Sequence, residues 1–377
     1  MTPIKHYIIF LCIGILCGLL FAADKVQPLL IKRPTPPVTQ IDHKLLTLKN
    51  CAPENVLHGE TWLGNDLLDG LKTIYAKAQQ IYRQDTVPEE SYINIYLRGY
   101  EQYTPPFPDD HHINIAYVIY PLYFSHADKK KIKLRHRLQP RDIGYSHALF
   151  DELQFYDAIA VGSKSYAEKM QKSGFSAYYV PQFTNPKRFY PEYDETVKSE
   201  VLFVGKNVPY RTAAPIALKA GLPITIYGPD WQGLATAENI PNDDLHRYYS
   251  SAKIVLNDHR QEMKDAGFIS NRIFDATASG TLVISDYMKE IEEIYGDTVP
   301  MWKTEAELIE LVKYYLAPEH EEERLDKARR AREITLKHFT TNIVAKKFKQ
   351  IIRDTEKNKS FYPIRKLIYL YKLLFNF

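Results

Sequence analysis

The tightest constraint on this chain is a rhythm. Short apolar runs of strand length recur along it, and stretches with helical spacing separate them. Ile93 to Gly99, Ile113 to Tyr120, Asp157 to Ser163 and Ala177 to Gln182 read as strands in the first half, the third of them strand then turn. Val201 to Lys206, Ile224 to Gly228, Lys253 to Asp258 and Thr281 to Asp286 repeat the pattern in the second. Helical segments fall between or around them at Glu60 to Arg83, Ser163 to Lys172, Tyr210 to Ala220, Asp243 to Ser251, Ser270 to Ser279, Glu305 to Leu316 and Glu319 to His338. Strands alternating with helices predict parallel α/β sheets. A polar, proline-bearing break from Phe183 to Glu200 divides the two series, and 377 residues suit two domains with appendages.

The expected domains are 44–190 and 200–345, each built on a parallel α/β sheet. A segment 1–24 and a proline-marked linker 25–43 precede them, and a basic tail 346–377 follows. Both ends look membrane-directed. Tyr7 to Ala23 carries no charge and spans roughly 26 Å as a helix, against a bilayer core of about 30 Å. It reads as an uncleaved anchor or as a signal segment. Lys25, Lys32 and Arg33 behind it, against Lys5 before it, lean towards a cytoplasmic body. Net charge is only +3, but from Arg324 onward there are 15 Lys and Arg against 4 Asp and Glu. Phe361 to Phe377 reads either as an interfacial amphipathic helix or as a terminal helix packed on the body or on a second copy. No recognition motif for nucleic acid accompanies this charge. Three cysteines give neither a disulfide framework nor a zinc spacing, and Asp109-Asp110-His111-His112 lies on a proline-rich loop, so no metal site is expected.

In open α/β sheets ligands collect at the carboxyl ends of the strands. Gly205, Lys206, Asn207, Tyr227, Gly228, Asn257, Asp258, His259 and Asp286 stand there. From Leu256 to Asp286 a strand leads through a loop with Gly267 into a helix starting near Ser270. A helix N-terminus offers unpaired N–H groups and partial positive charge, which suits a diphosphate. Arg272 offers a bidentate contact, and Asp275, one turn on, is placed to accept from hydroxyls. Read singly, these residues also fit an ordinary amphipathic helix with a surface ion pair.

Their order is what resembles a family. Leu256 to Asp286, Val201 to Arg211, Val180 to Pro191, Tyr156 to Met170, Asn94 to Tyr103 and His58 to Leu71 are similar to blocks of the bacterial group 1 glycosyltransferases of the GT-B fold, in the branch with spore-protein-type glycosyltransferase domains. The likeness spans roughly residues 55 to 345, with the C-terminal blocks the more specific. It implies two Rossmann-like domains facing across a cleft, with nucleotide sugar held by the second. It implies transfer of a sugar to a glycan, lipid-linked or other surface-glycoconjugate acceptor, without metal or cofactor. The donor-site residues it implies are Gly205, Lys206, Asn207, Arg211, Tyr227, Gly228, Asn257, Phe268, Ser270, Asn271, Arg272 and Asp275, with Arg211 favoured over Lys206 at the diphosphate. Ile240-Pro241-Asn242 is expected beside the base. Retaining members carry two glutamates here. Asp275 takes the place of the second, and Gly267 falls at the first, so the stereochemical course stays open.

Arg98, as an electrostatic helper, Glu152 and His259 are the catalytic candidates, with Asp151 beside Glu152. The basic stretch His126 to Asp142 is either an exposed loop or a guide for an anionic acceptor. Two other readings stay open: a GT-B nucleotide-sugar epimerase, and a silent module that binds nucleotide sugar at the membrane.

Overall fold

The computed structural model describes residues 44–54, 59–99, 105, 111–121, 153 and 155–359. The first sheet contains β1 (Leu45–Lys49), β2 (Ala78–Ile81), β3 (Ser91–Arg98), β4 (Ile113–Val118), β5 (Ala158–Val161) and β6 (Ala177–Tyr179). Their order is β2-β1-β3-β4-β5-β6, and every pairing is parallel. Strands β4 and β5 are buried along their whole length, as expected of a parallel sheet covered on both faces. Helix α1 (Gly59–Lys72) packs beside this sheet, and α2 (Lys164–Lys172) is capped by the Ser163 hydroxyl, which accepts from the Tyr166 N–H.

Two short strands here escape the sequence reading. The helix expected to reach Arg83 stops at Lys72, because β2 pairs with β1 from Leu46↔Ala78 to Lys49↔Ile81. Pairing a sheet edge outweighs local helical spacing in that stretch.

The second sheet contains β7 (Ser199–Val204), β8 (Ile224–Tyr227), β9 (Ala252–Asn257), β10 (Leu282–Asp286) and β11 (Met301–Trp302), in the order β11-β10-β9-β7-β8, again all parallel. Alternate residues feed two cores. Val201, Phe203, Ile254, Leu256, Leu282 and Ile284 enter one, while Leu202, Val255 and Val283 enter the other. Helices α3 (Ala213–Lys219), α4 (Leu245–Ser250), α5 (Gln261–Ala266), α6 (Asn271–Ala278), α7 (Lys289–Tyr295), α8 (Glu305–Leu316) and α9 (Glu321–His338) complete this half. A capping box of Thr304 and Glu307 fixes the start of α8.

Residues 346–358, expected to open a basic tail, belong instead to helix α10 (Thr341–Asn358), which crosses back to the first sheet. Val344, Ala345, Phe348, Ile351, Ile352 and Thr355 form its buried stripe, and the Phe348 ring meets Tyr117 edge-on at 5.2 Å. Gly70 of α1 permits the approach, since a Cβ there would stand 2.7 Å from the Thr341 carbonyl oxygen. Both sheets fall within a single compact unit.

A second junction lies at the loop after α5. Phe268 is fully buried among residues of the first sheet's core, with its ring 5.4 Å from Tyr166. The Ser163 hydroxyl donates to the Ala266 carbonyl at 2.6 Å beside it. Among the described residues no helix is long and apolar enough to cross a membrane. The expected anchor at 7–23, the basic stretch 126–142 and the amphipathic end 361–377 lie outside the described residues.

Candidate active site

Strand β7 is followed by β8 on one side and β9 on the other, so the second sheet reverses its order between β7 and β9. A crevice opens at such a reversal, beyond the carboxyl ends of the strands. Gly205 stands at the end of β7, and Asn257 and Asp258 at the end of β9. The turns after β7 and β8 touch: a Cβ at Gly228, where φ is +144°, would lie 2.2 Å from the Gly205 carbonyl oxygen. Only glycine fits there. Trp231, buried against Phe203, donates its indole N–H to the same carbonyl at 2.8 Å. The loop's shape is thus set by packing before any ligand arrives.

Two arginines converge on this corner. Arg211 Nη1 pairs with Asp258 Oδ1 at 2.5 Å, and Asp258 Oδ2 accepts from the Thr212 and Ala213 N–H groups at 2.8 and 3.1 Å. Asp258 therefore caps α3 and orients Arg211 at once. Arg272 is held by the Asn257 amide oxygen at 3.0 Å and the Val204 carbonyl at 2.6 Å. Both guanidiniums lie over the Phe203 ring, at 5.5 and 4.9 Å from its centre. A Cβ on Gly205 would sit 3.0 Å from Arg272 Nη2 and 3.5 Å from Arg211 Nη2. Burial first, and repulsion from Arg211 second, pull the Arg272 pKa down. Two cations held close in a desolvated corner make a place that an anion stabilises.

His259 serves this geometry from within. Its Nε2 accepts the Ser270 N–H at 2.9 Å, so its proton sits on Nδ1 and is donated to Asp286 Oδ1 at 2.6 Å. Both ring nitrogens are thereby engaged inside the protein. Ser270 occupies the N-cap position of α6, but its side chain makes no capping hydrogen bond.

One turn into α6, Asp275 is buried, and its Oδ2 accepts from the Asn271 amide at 2.7 Å. Its Oδ1 has no hydrogen-bond partner. The Thr184 hydroxyl lies beside it and favours the charged form without closing a hydrogen bond. Desolvation dominates, and the nearby Asp66 adds to it, so the carboxyl pKa is pushed up to about 8. Asp275 and Asn271 line a cleft of about 260 Å³, shared with Glu60, Trp62, Asp66, Tyr120, Gln182, Arg188 and Asn242. Asp66 Oδ2 pairs with Arg188 Nη1 at 2.6 Å, and the Asn185 amide donates to Asp66 Oδ1 at 2.8 Å. Arg188 also reaches Asn242 and lies 4.7 Å over the Trp62 ring.

The expected residues thus fall into groups. Gly205, Arg211, Gly228, Asn257, Ser270, Asn271, Arg272 and Asp275 line or shape the corner and the adjoining cleft. Lys206 and Asn207 turn aside: Lys206 pairs with exposed Asp230 at 3.0 Å, and the Asn207 amide donates to the Asp230 carbonyl at 3.1 Å. Tyr227 is half-buried, with its ring edge-on to Tyr248 at 5.0 Å. Phe268 is corrected from a ligand contact to a packing residue, because its ring fills the first domain's core. Arg98 is buried, with Nη1 donating to the Gly99 carbonyl at 2.7 Å. Glu152 lies outside the described residues. At Gly267, where φ is +70°, a Cβ would stand 2.4 Å from Glu290 Oε1 and 2.7 Å from Ser165 Oγ, so a side chain there needs both groups to shift and a left-handed backbone. Asp66, Trp62, Arg188 and Trp231 were missed as site residues. The polar, proline-bearing stretch that holds Arg188 reads as a linker, and Trp62 and Asp66 read as ordinary helix positions.

With the geometry in place, comparison with known proteins gives three findings. A family model described as glycosyl transferase-like matches residues 211–350. No curated protein sequence matches the chain. Solved structures match over most of it. A sucrose-phosphate synthase from Thermosynechococcus elongatus aligns with TM-score 0.57 and 13% identity, over 82% of this chain and 98% of that one. HepE of Anabaena, in complex with UDP-glucose, gives TM-score 0.57 and 10% identity, over 83% and 100%. A glycosyltransferase from Rickettsia africae gives TM-score 0.57 and 10% identity, over 84% and 100%. The chain therefore has the two-sheet α/β fold of GT-B glycosyltransferases, and its residues 211–350 match a glycosyl transferase-like family model.

Proposed function

We propose that the protein transfers a sugar from a nucleotide-sugar donor to a glycan, lipid-linked or other surface-glycoconjugate acceptor, with no metal in the step. The observation that carries this reading is the convergence of Arg211 and Arg272 on the Gly205 turn, at the reversal of the second sheet. In glycosyl transfer the bond from the anomeric carbon to the diphosphate oxygen breaks, and negative charge gathers on the departing diphosphate. Preorganised cations and N–H groups stabilise that charge as it develops. Here Asp258 and Asn257 hold the arginines before the donor arrives, so little reorganisation accompanies the reaction. His259 acts as a positioning residue, fixing the start of α6. Asp275, its carboxyl pKa raised by burial, exchanges hydrogen bonds with hydroxyls of the donor. Membrane association, through the two ends of the chain, belongs to this reading.

The test is nucleotide release from a panel of nucleotide sugars by the full chain in detergent, with membrane lipid extract as acceptor. Release of one nucleotide, dependent on acceptor and abolished in Arg211→Ala and Asp275→Ala, supports the reading. The glycine at 267 favours one rival, a module that binds nucleotide sugar and never turns it over. Measurable binding with no release from any donor selects that rival.

A further inference from the structure

The basic excess from Arg324 onward is not spread evenly over the structure. On α9 most cations are matched. Arg324 pairs with Glu321 at 3.3 Å, Lys327 with Asp297 at 2.8 Å, Arg329 with Asp326 and Glu333 at 2.6 and 2.7 Å, and Arg330 with Asp326 and Asp297 at 2.8 and 3.0 Å. On α10 the pattern differs. Lys346, Lys349, Arg353 and Lys357 recur at helical spacing, and at about 100° per residue they share an arc of roughly 80°. That arc lies opposite the buried stripe of Val344, Phe348, Ile351 and Thr355. Lys346 and Lys357 are exposed, and Lys349 and Arg353 are half-exposed. Among the described residues none of the four side chains has an ion-pair partner. Both acids of the helix fall outside the arc: Glu356 is taken by Lys44 at 2.9 Å, and Asp354 accepts from the Gln350 amide at 2.9 Å. Like charges three and four residues apart destabilise a helix, so this face gains from an anion laid along it.

We propose that this outer face of α10 rests on an anionic lipid surface, with Lys346, Lys349, Arg353 and Lys357 over the headgroup phosphates. The stripe is straight and runs roughly 17 Å, which suits a flat, laterally mobile array of charge. In sequence the helix leads directly into Phe361 to Phe377, where Arg365, Lys366 and Lys372 stand among aromatic and aliphatic residues with no acid. Residues of that mixture enter the headgroup boundary of a bilayer. A basic cluster beside such a segment binds anionic lipid, each charge near the surface adding about fivefold to partition. Other occupants fit less well. A second copy meeting this face symmetrically sets like charge against like, and the chain's own end is cationic too. A nucleic-acid backbone matches the charges but not the apolar residues that follow them. This inference rests on the proposed reading of the protein as a transferase working at a membrane, and it names the face and the lipid charge.

Acylation of the full chain by a water-soluble N-hydroxysuccinimide ester, read lysine by lysine by mass spectrometry, tests the proposal. The chain is reconstituted with vesicles of phosphatidylglycerol mixed with phosphatidylcholine, and separately with phosphatidylcholine alone. On the anionic vesicles Lys346, Lys349 and Lys357 should acylate about tenfold more slowly than on the neutral ones, while exposed Lys219 keeps its rate. The double variant Lys346→Gln with Arg353→Gln changes only the solvent side of the helix and should unfold like wild type. In it, Lys349 and Lys357 should regain their reactivity at a lower salt concentration than in the wild-type chain. Equal rates on the two vesicle types overturn the proposal. So does equal slowing at Lys219, or a double variant that responds to salt like wild type. Slowing by duplex DNA that the anionic vesicles do not reproduce overturns it as well, as does slowing that follows chain concentration alone. Nucleotide release measured on the same vesicles separates this inference from the function. Release without protection overturns the docking face alone, and protection with no release from any donor overturns the proposed function and leaves the docking face standing.

Discussion

The arginine corner at the end of β7 and the cleft beside α1 and α6 are built on opposite plans. In the corner, nearly every polar group has its partner inside one domain. Asp258 pairs with Arg211 Nη1 and two backbone N–H groups, and Asn257 and Val204 accept from Arg272, while Arg211 Nε alone stays unpartnered among these atoms. In the cleft, groups from α1, the interdomain segment and α6 meet, and several stay unmatched. The corner is largely paired within itself, and the cleft keeps unpartnered polar atoms around it. The difference fits a division of labour. In the proposed reading, the donor's phosphate rewards a rigid mould, whereas sugar hydroxyls vary and are read by polar groups that are destabilised when left unpaired.

The first way to break this comparison is Arg211→Ala. It removes a cation from the corner and leaves Asp258 buried with only backbone donors. Nucleotide release should fall by about 10²- to 10³-fold, measured under saturating donor. A loss of less than tenfold would remove Arg211 from the charge-stabilising set.

Next comes Phe268→Ala, which touches neither region's polar groups. Emptying a fully buried aromatic site costs about 3–5 kcal/mol. Denaturant unfolding should show that loss, concentrated in the first domain because the ring packs against Tyr166. A near-neutral result would contradict the packing of Phe268 into the first sheet's core.

Asp275→Asn sharpens the cleft side. The wild-type carboxyl, held near pH 8 by burial, is neutral in the fold while the unfolded chain ionises at ordinary carboxylate pH. The stability it contributes is present in acid and is lost as pH rises through about 8. The asparagine variant should therefore gain thermal stability over wild type progressively from pH 4 to pH 8. A constant difference across that range would mean that Asp275 is ionised in the fold.

Smaller effects bound the corner. Trp231→Phe removes one hydrogen bond to Gly205 and should cost about 1 kcal/mol, with a modest rise in donor KM. Lys206→Ala removes an exposed pair with Asp230, worth under about 1 kcal/mol. It should leave turnover within about twofold. A large loss there would return Lys206 to the diphosphate.

Most of the second domain was legible, because its strands are unbroken apolar runs and its helices keep their spacing. Helix α8 from Glu305 to Leu316 is an instance, with its capping box written in the sequence. Arg211, Arg272 and Asp275 were legible through the order of their blocks. Other features depended on tertiary context. Ala78 to Ile81 becomes a strand only because β1 lies open beside it. The stripe of α10 was present at Val344, Ala345, Phe348, Ile351 and Ile352, but the lysines between them pointed to a tail. Phe268 sits next to site residues in sequence and points into the other domain. Arg188 acquires its role from partners 54 and 122 residues away, which no local pattern signals.

The most direct test of the central claim is a crystal structure of the chain with a nucleoside diphosphate. The account predicts the diphosphate within hydrogen-bond reach of Arg211 and Arg272 at the Gly205 turn, with the ribose towards Asp275. A diphosphate bound elsewhere, with the two arginines untouched, would contradict it.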